Sequence, residues 1–286
     1  MINILITILS YIIDKIFGEF SFIKHPIIII GSLITFFEKR FYKDSILRGL
    51  SLLIFMLVVV GGVVSFLTYL LNFLPTFLNI IITSFIASMF LAHRMLYDSV
   101  KEILSAKNKR EAISMLVSRD TADMSDSDVY KASIETYAEN LSDGVIAPAF
   151  YLLLFGLPGI VIYKTINTLD SMVGYRNEKY ENYGKVSAIL DDVVNFIPSR
   201  ITAVLIMILG KQKDIFSFYK DGKKHDSPNA GHPITAMALV VGVKLGGDTS
   251  YFGKIKKKAH FGVGRKNITQ NDVLATINLG KILKNN

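Results

Sequence analysis

The sequence predicts a mainly α-helical, polytopic integral membrane protein with a cytosol-facing helical and loop region that carries its chemistry. Three observations predict this. Apolar residues make up 51% of the 286-residue chain and mean hydropathy is +0.40, more apolar than an ordinary soluble domain. No charged residue or histidine occurs from Gly49 through Ala92, a run of 44 residues, whereas about 20 apolar residues cross a bilayer as a helix. Nowhere does a run of strands with alternating apolar and polar residues show itself.

The elements follow in order. Met1 to Ile13 is apolar and lacks a basic leader and a small-residue cleavage site, so it reads as an anchor helix rather than a signal peptide. Pro26 to Phe37 is a second short apolar stretch. The uncharged run reads as a two-span hairpin turning at Asn72 to Pro75. Residues 95–117 read as one helix. The next helix starts at Ser125, capped with Asp128 in the capping-box position, and ends where Gly144 follows Asp143. Val145 to Tyr163 approaches spanning length, but Gly156-Leu157-Pro158-Gly159 breaks its middle. A re-entrant helix whose freed backbone groups are covered by protein and a single kinked span are both open readings. Helices are expected over 160–173, 184–196 and 233–244, and Ile201 to Gly210 is a further apolar stretch. The expectation is one membrane-embedded domain, 1–286, made of N-terminal helices (1–92), a motif-bearing region (93–247) with the broken segment 145–163, and a basic segment (248–286).

Net charge is +8. Lys39, Arg40, Lys43 and Arg48 precede the hairpin, Arg94 and Lys101 follow it, and its turn is uncharged, which puts both flanks on the cytoplasmic side. Lys254, Lys256, Lys257, Lys258, Arg265 and Lys266 form a second basic group with no acid between them, suited to anionic headgroups or to solvent. No basic motif is interleaved with aromatics, so nucleic acid is not an expected partner. Zero cysteines exclude disulfides, thiolate metal sites and a cysteine nucleophile. A metal would have to sit on oxygen or imidazole, and a nucleotide would bind without a P-loop, since no Walker A sequence occurs.

Polar chemistry is concentrated between Arg119 and Gly247. Glu135, Glu139 and Asp143 fall at i, i+4 and i+8, where like charges repel unless water, a basic side chain or a divalent cation compensates. A solvated acidic face is the plain alternative. Asn140, Asp143, Gly144 and Pro148 crowd the point where polar sequence re-enters apolar sequence. Asn167 and Asp170 share a face, and Asp191-Asp192 precede Asn195, Pro198 and Arg200. Paired acids with an amide oxygen can hold Mg²⁺ carrying phosphate, because hard cations prefer oxygen and keep waters that phosphate can replace. Arg119, Arg176 and Arg200 lie beside these acids and have the forked geometry that matches phosphate, or they make structural salt bridges. Asp221, His225 and Ser227-Pro228-Asn229-Ala230-Gly231 form a turn-rich stretch whose amides could cradle an anion or simply close a loop and cap a helix. His225 could be a general base, a phosphate donor or a surface hydrogen-bonding residue.

These motifs, with His25-Pro26, Gly31, Glu38, Ser118-Arg119-Asp120-Thr121, Glu135-Thr136-Tyr137-Ala138-Glu139-Asn140, Asn167 through Tyr175 and the stretch to Gly247, resemble the CobD/CbiB family, in order, over about residues 25 to 275. That family comprises membrane-bound adenosylcobinamide-phosphate synthases of cobalamin biosynthesis. His232 departs from the bulky aromatic expected there, and the 254–266 segment is unusually rich in lysine. The resemblance implies that a propionate carboxyl of adenosylcobyric acid is joined to aminopropanol, as its O-phosphate, through an amide. ATP is the implied cosubstrate and Mg²⁺ the implied cofactor, since a carboxylate does not condense with an amine in water unaided.

On that implication Glu139, Asp143, Asp170 and His225 are candidate catalytic groups, and Asp143, Asp170, Asp191 and Asp192 candidate metal ligands. Arg119, Arg176 and Arg200 would hold phosphates. Asn140, Asn167, Tyr175, Asn229 and Gly231 would bind or orient substrate, and Tyr137, Tyr151, Tyr175 and Tyr180 could meet the corrin or serve as interfacial tyrosines. Expected partners are the corrinoid, the amino alcohol, the lipid bilayer, and other corrinoid-pathway enzymes or a second copy of the chain. The expected location is the cell membrane, multi-pass, with the active site facing the cytoplasm. Two other classes stay open on the residues alone: an intramembrane Mg²⁺-dependent prenyltransferase, disfavoured by the lack of paired aspartate-rich repeats, and a non-enzymatic corrinoid transporter or assembly subunit, which would place acids inside long spans.

Overall fold

A computed structural model describes residues 2–20, 24–175, 177–251 and 253–279. The chain is mainly helical, and its Cα positions separate into two compact units, each assembled from two stretches: Met1–Arg94 with Asp143–Asn195, and Met95–Ser142 with Phe196 onward. The consecutive regions expected from sequence are therefore interleaved. The chain crosses between units at Arg94, at Ser142 and in the middle of one long helix.

In the first unit, α1 (Ile2–Phe17), α2 (Pro26–Phe41), α3 (Ile46–Leu71) and α4 (Thr76–Ser88) surround α8 (Ala147–Val173). His25 begins α2 as its N-cap, its Nδ1 accepting from the Ile27 N–H at 3.3 Å, with Pro26 in the first turn where no donor is needed. The turn between α3 and α4 falls at Asn72 to Pro75 as expected, and Asn79 closes it by donating to the Leu71 carbonyl at 2.9 Å. The second arm of that hairpin is a helix of 13 residues, about 20 Å long, rather than a full span. It breaks at Met89 to Ala92, and a new helix follows. The core is apolar, with Ile34, Leu52, Met56 and Leu152 fully buried. Outward, Ile8, Ile54, Val58, Phe66 and Phe77 are exposed, an apolar surface that suits lipid.

The segment 145–163 doubles back on itself as a helical hairpin. Gly156 takes φ 63°, ψ −155°, which no helix contains and which a side chain disfavours. In a continuous helix Tyr151 and Tyr163 would stand about 18 Å apart. Their rings instead stack at 5.1 Å, inclined by 11°. The Leu153 carbonyl in the turn accepts from Asn3 Nδ2 of α1, so protein covers a backbone group that the reversal frees. The single kinked span left open by the sequence is thus replaced by two arms, with Leu154 and Phe155 exposed at the tip.

In the second unit, residues 95–117 form two helices, α5 (His93–Ser105, its first two residues in the first unit) and α6 (Lys109–Ser114). Asn108 stops a single helix by capping the Glu111 N–H. Next come α7 (Asp126–Leu141), with the expected capping box at Ser125 and Asp128, and a π turn at Ser142–Ile146 that leads into α8. One helix, α9 (Lys185–Leu209), replaces the expected helix 184–196 and apolar stretch 201–210, and contains Pro198. Proline orphans the carbonyl four residues back, and the Val194 carbonyl is taken by the Tyr151 hydroxyl at 2.9 Å. Then follow α10 (Phe218–Gly222), α11 (Gly231–Val241) and α12 (Gln270–Ile277). The absence of strands expected from sequence is corrected by two small antiparallel pairs: β1 (Leu245–Gly246) with β4 (His260–Phe261), and β2 (Thr249–Tyr251) with β3 (Lys254–Lys256). They are too short for alternation to be legible. The lysine-rich segment is also partly neutralised, Lys256 by Asp226 and Arg265 by Asp272, each at 2.6 Å.

Among the described residues four helical stretches are long and apolar enough to cross a membrane: Ile46–Leu71, Thr76–Ser105, Asp126–Val173 and Lys185–Leu209. The second is interrupted at 89–92, and the third contains the reversal.

Candidate functional site

Each unit carries a polar cluster. In the first, the reversal at Gly156 returns the second arm of α8 to the π turn, so that the Tyr163 hydroxyl lies 3.1 Å from the Asp143 carbonyl and 2.8 Å from Asn195 Oδ1. Both are acceptors sharing one phenolic proton. This fixes the Asn195 amide with its nitrogen toward Asp191 Oδ2, to which it donates at 2.9 Å. From the other side Lys164 Nζ donates to Asn167 Oδ1 at 2.8 Å, and Asn167 Nδ2 donates to Asp191 Oδ1 at 3.3 Å. Two amides thus grip the two oxygens of one buried carboxylate, and each amide is oriented by a further partner. Asp143 and Asp191 both act electrostatically on Lys164, and Asp192 acts on Asp191. Asp170 follows Asn167 by one turn on α8.

The structure therefore brings together Asp143, Asn167 and Asp191 from three separated motifs. Asn195, which the sequence grouped with Asp191 and Asp192, belongs to the same group, and Lys164 and Tyr163, which sequence reasoning did not assign to it, complete it. The signal of Lys164 was present, a cation one turn before Asn167. Nothing in the sequence shows that it and Asn195 would meet.

Among the described residues no three histidine or carboxylate groups converge to hold a metal ion. Mg²⁺ does not require such a cage. It binds through one or two carboxylates and fills its octahedron with water and substrate phosphate. Asp191, whose oxygens keep lone pairs beyond the two amide bonds, fits that donor set, and Asp143 stands near the same ammonium.

In the second unit, the acidic stripe of α7 is compensated by Arg119. Its Nη2 donates to Glu135 Oε2 at 2.7 Å, while Glu135 Oε1 accepts the Gly246 N–H at 2.6 Å. Burial opposes the charge on Arg119, but Glu135, Tyr251 and Glu139 outweigh it and hold its pKa above the ordinary arginine value. Arg119 is thereby tied into a salt bridge. Glu139 and Asn140 are exposed at the end of α7, and Asn140 Nδ2 donates back to the Thr136 carbonyl at 2.9 Å.

Arg200 is held differently. Its Nη1 donates to Asn229 Oδ1 at 2.8 Å and its Nη2 to the Pro228 carbonyl at 2.9 Å, with the guanidinium 3.7 Å over the Phe196 ring. Neutral oxygens hold it, and among the described residues no carboxylate pairs with it. The amide cradle considered for 227–231 is not open. Ser227 N–H donates to His225 Nδ1, the Asn229 and Ala230 N–H groups to Ser227 Oγ, and His232 N–H to the Asn229 carbonyl. That accepting role makes His225 a donor through Nε2. Burial, with Lys258 adding, lowers its pKa and keeps it neutral. Gly231 serves close packing, since a Cβ there would collide with the Gly222 carbonyl oxygen of α10.

The tyrosines are mostly spoken for. Tyr137 is buried, Tyr151 holds Val194, and Tyr180 donates to Glu38 Oε1 at 2.8 Å. Tyr175, just past α8, is 51% exposed. Arg176 lies outside the described residues.

The sequence profile described as CobD/Cbib protein matches residues 7–280. A chain named probable cobalamin biosynthesis protein CobD, from Pyrococcus furiosus, is 42% identical over 244 residues, 83% of each chain. Chains named cobalamin biosynthesis protein CobD from Halalkalibacterium halodurans and Clostridium perfringens are each 36% identical, covering 95% of this chain and 90% and 91% of theirs. No solved structure matches. A profile match along nearly the whole chain, together with relatives of this identity and coverage, makes this chain a member of the CobD/CbiB family.

Proposed function

We propose that the protein acts in cobalamin biosynthesis as a membrane-bound acid–amine ligase, joining a propionate carboxyl of adenosylcobyric acid to aminopropanol O-phosphate with consumption of ATP. The observation that carries the reading is the reversal at Gly156, which draws Asp143, Asn167 and Asp191 into one wired network beside Lys164. Carboxyl oxygen would attack the γ-phosphorus of ATP with ADP leaving. The amine would then attack the acyl carbon, expelling phosphate and giving up a proton. Asp143 or Asp170 would take that proton, and Asn167 would orient a reactant. Mg²⁺, when bound at Asp191 or its neighbours, would neutralise phosphate charge. Arg200, held by neutral oxygens, keeps its full charge for an anionic group of substrate.

A cytoplasm-facing site in the cell membrane is part of this proposal, since ATP must reach it. The test is reconstitution of the purified protein with adenosylcobyric acid, ATP, Mg²⁺ and either aminopropanol or its O-phosphate, with product mass and released ADP measured. Amide product dependent on ATP, and lost in Asp191→Asn at matched folding, is expected. Turnover of isoprenyl diphosphate instead would move the protein to the prenyltransferase class.

A further inference from the structure

The proposed reaction leaves one cation of the first unit without a task. Lys164 lies midway along the arm that returns from Gly156, directly after Tyr163, where that arm passes the π turn. Its ammonium carries three donors. One goes to Asn167 Oδ1 at 2.8 Å. A lysine kept for structural neutralisation would bond the carboxylate beside it. Here Asp191 is gripped by the amides of Asn167 and Asn195 instead, and the lysine is anchored through the Asn167 amide oxygen. Among the described residues no carboxylate lies within ion-pair distance of Lys164. A compact point charge on a flexible stem, fixed at one donor and flanked by acids suited to a divalent cation, is the arrangement that receives phosphate oxygen.

We infer that Lys164 is a phosphate-binding residue, its ammonium donating to a non-bridging oxygen of a phosphorylated reactant while Asn167 holds the side chain in place. The inference rests on the ligase reading for the identity of that reactant, which has two sources, the nucleotide and the amino alcohol phosphate.

The test uses the purified full-length chain with Lys164→Gln, which removes charge at similar length, and Lys164→Arg, which keeps it. Equilibrium binding is measured for aminopropanol O-phosphate beside aminopropanol, and for ATP with Mg²⁺ beside adenosine. Lys164→Gln is expected to weaken one phosphorylated ligand by about 10- to 100-fold, the scale of a charge-assisted hydrogen bond, leaving its unphosphorylated counterpart unchanged. Lys164→Arg retains part of the affinity. The ligand that loses affinity names the source of the phosphate. Equal binding of both phosphorylated ligands to wild type and Lys164→Gln overturns the inference. So does a loss shared equally by phosphorylated and unphosphorylated forms, which would mark Lys164 as a support for Asn167.

If Lys164→Gln does not fold, acylation of wild-type lysines read by mass spectrometry decides instead. Lys164 should be protected by phosphorylated ligand, and unchanged labelling overturns the assignment. A wild-type protein that binds these ligands but forms no amide defeats the ligase reading and leaves Lys164 standing. Amide formation with Lys164→Gln binding normally does the reverse, and a wild type that binds neither ligand defeats both.

Discussion

His232 shows how one side chain writes itself into the pH dependence of the fold. It is 1% exposed, stacked on Tyr219 at 5.2 Å and edge-on to Phe218, with Nδ1 lacking a hydrogen-bond partner among the described residues. Burial, with Arg200 and His225 adding, pushes its pKa down to about 4 from an ordinary value of 6.5. A histidine lowered on folding is neutral in the native state and protonated in the unfolded chain between those values. Its contribution is therefore complete above pH 6.5 and is lost as pH falls toward 4, by about 3 kcal/mol at most. His232→Phe keeps the ring stack, removes the orphaned nitrogen and restores the aromatic that the family pattern leads one to expect. Thermal melts in detergent from pH 7 to pH 4 should show a shallower acid decline for His232→Phe than for wild type. Equal slopes would show that the imidazole binds its proton as readily in the native protein as in the unfolded chain.

At the scale of elements, the short helical hairpin of α8 is the device on which the first cluster depends. Gly156→Ala places a Cβ on a conformation that costs a side chain about 1–3 kcal/mol, so the arms should splay or the protein lose stability by that amount. The check is a melting curve together with the spectroscopic response of Tyr151 and Tyr163, whose stacking reports the reversal. Unaltered stability and stacking would show that the turn does not need glycine.

Much of this scale was legible beforehand. The Ser125 capping box, the Asn72 to Pro75 turn and the break at Gly156 are written in turn and cap chemistry, which acts over a few residues. Lys164 and Tyr163 escaped because their meaning depends on partners about 20 to 30 residues away, reached only after the chain doubles back. The four short strands escaped because pairs of two or three residues leave no period to read. Arg119 and the amides of 227–231 looked available in sequence, but Glu135 occupies the former and Ser227 and His225 many of the latter. An unsatisfied group can be identified only once its neighbours are known.

For the molecule as a whole, the native chain has no cysteine, so any introduced thiol is a unique probe. Asp143→Cys and Ser171→Cys, at the two open ends of the re-entrant arms, should react with an impermeant thiol reagent from the same side of sealed vesicles. Phe155→Cys, at the exposed apolar tip, should be unreactive from either side. Labelling of positions 143 and 171 from opposite sides would contradict the reversal. The distinction reaches past this one segment. Hydropathy counting tallies 145–163 as a crossing, whereas a doubled-back loop adds two half-passages and alters parity not at all. A reporter fused just after Val173 should therefore read on the same side as one fused just after Leu141, whereas such a tally puts the two on opposite sides, a difference produced by a single glycine's backbone angles.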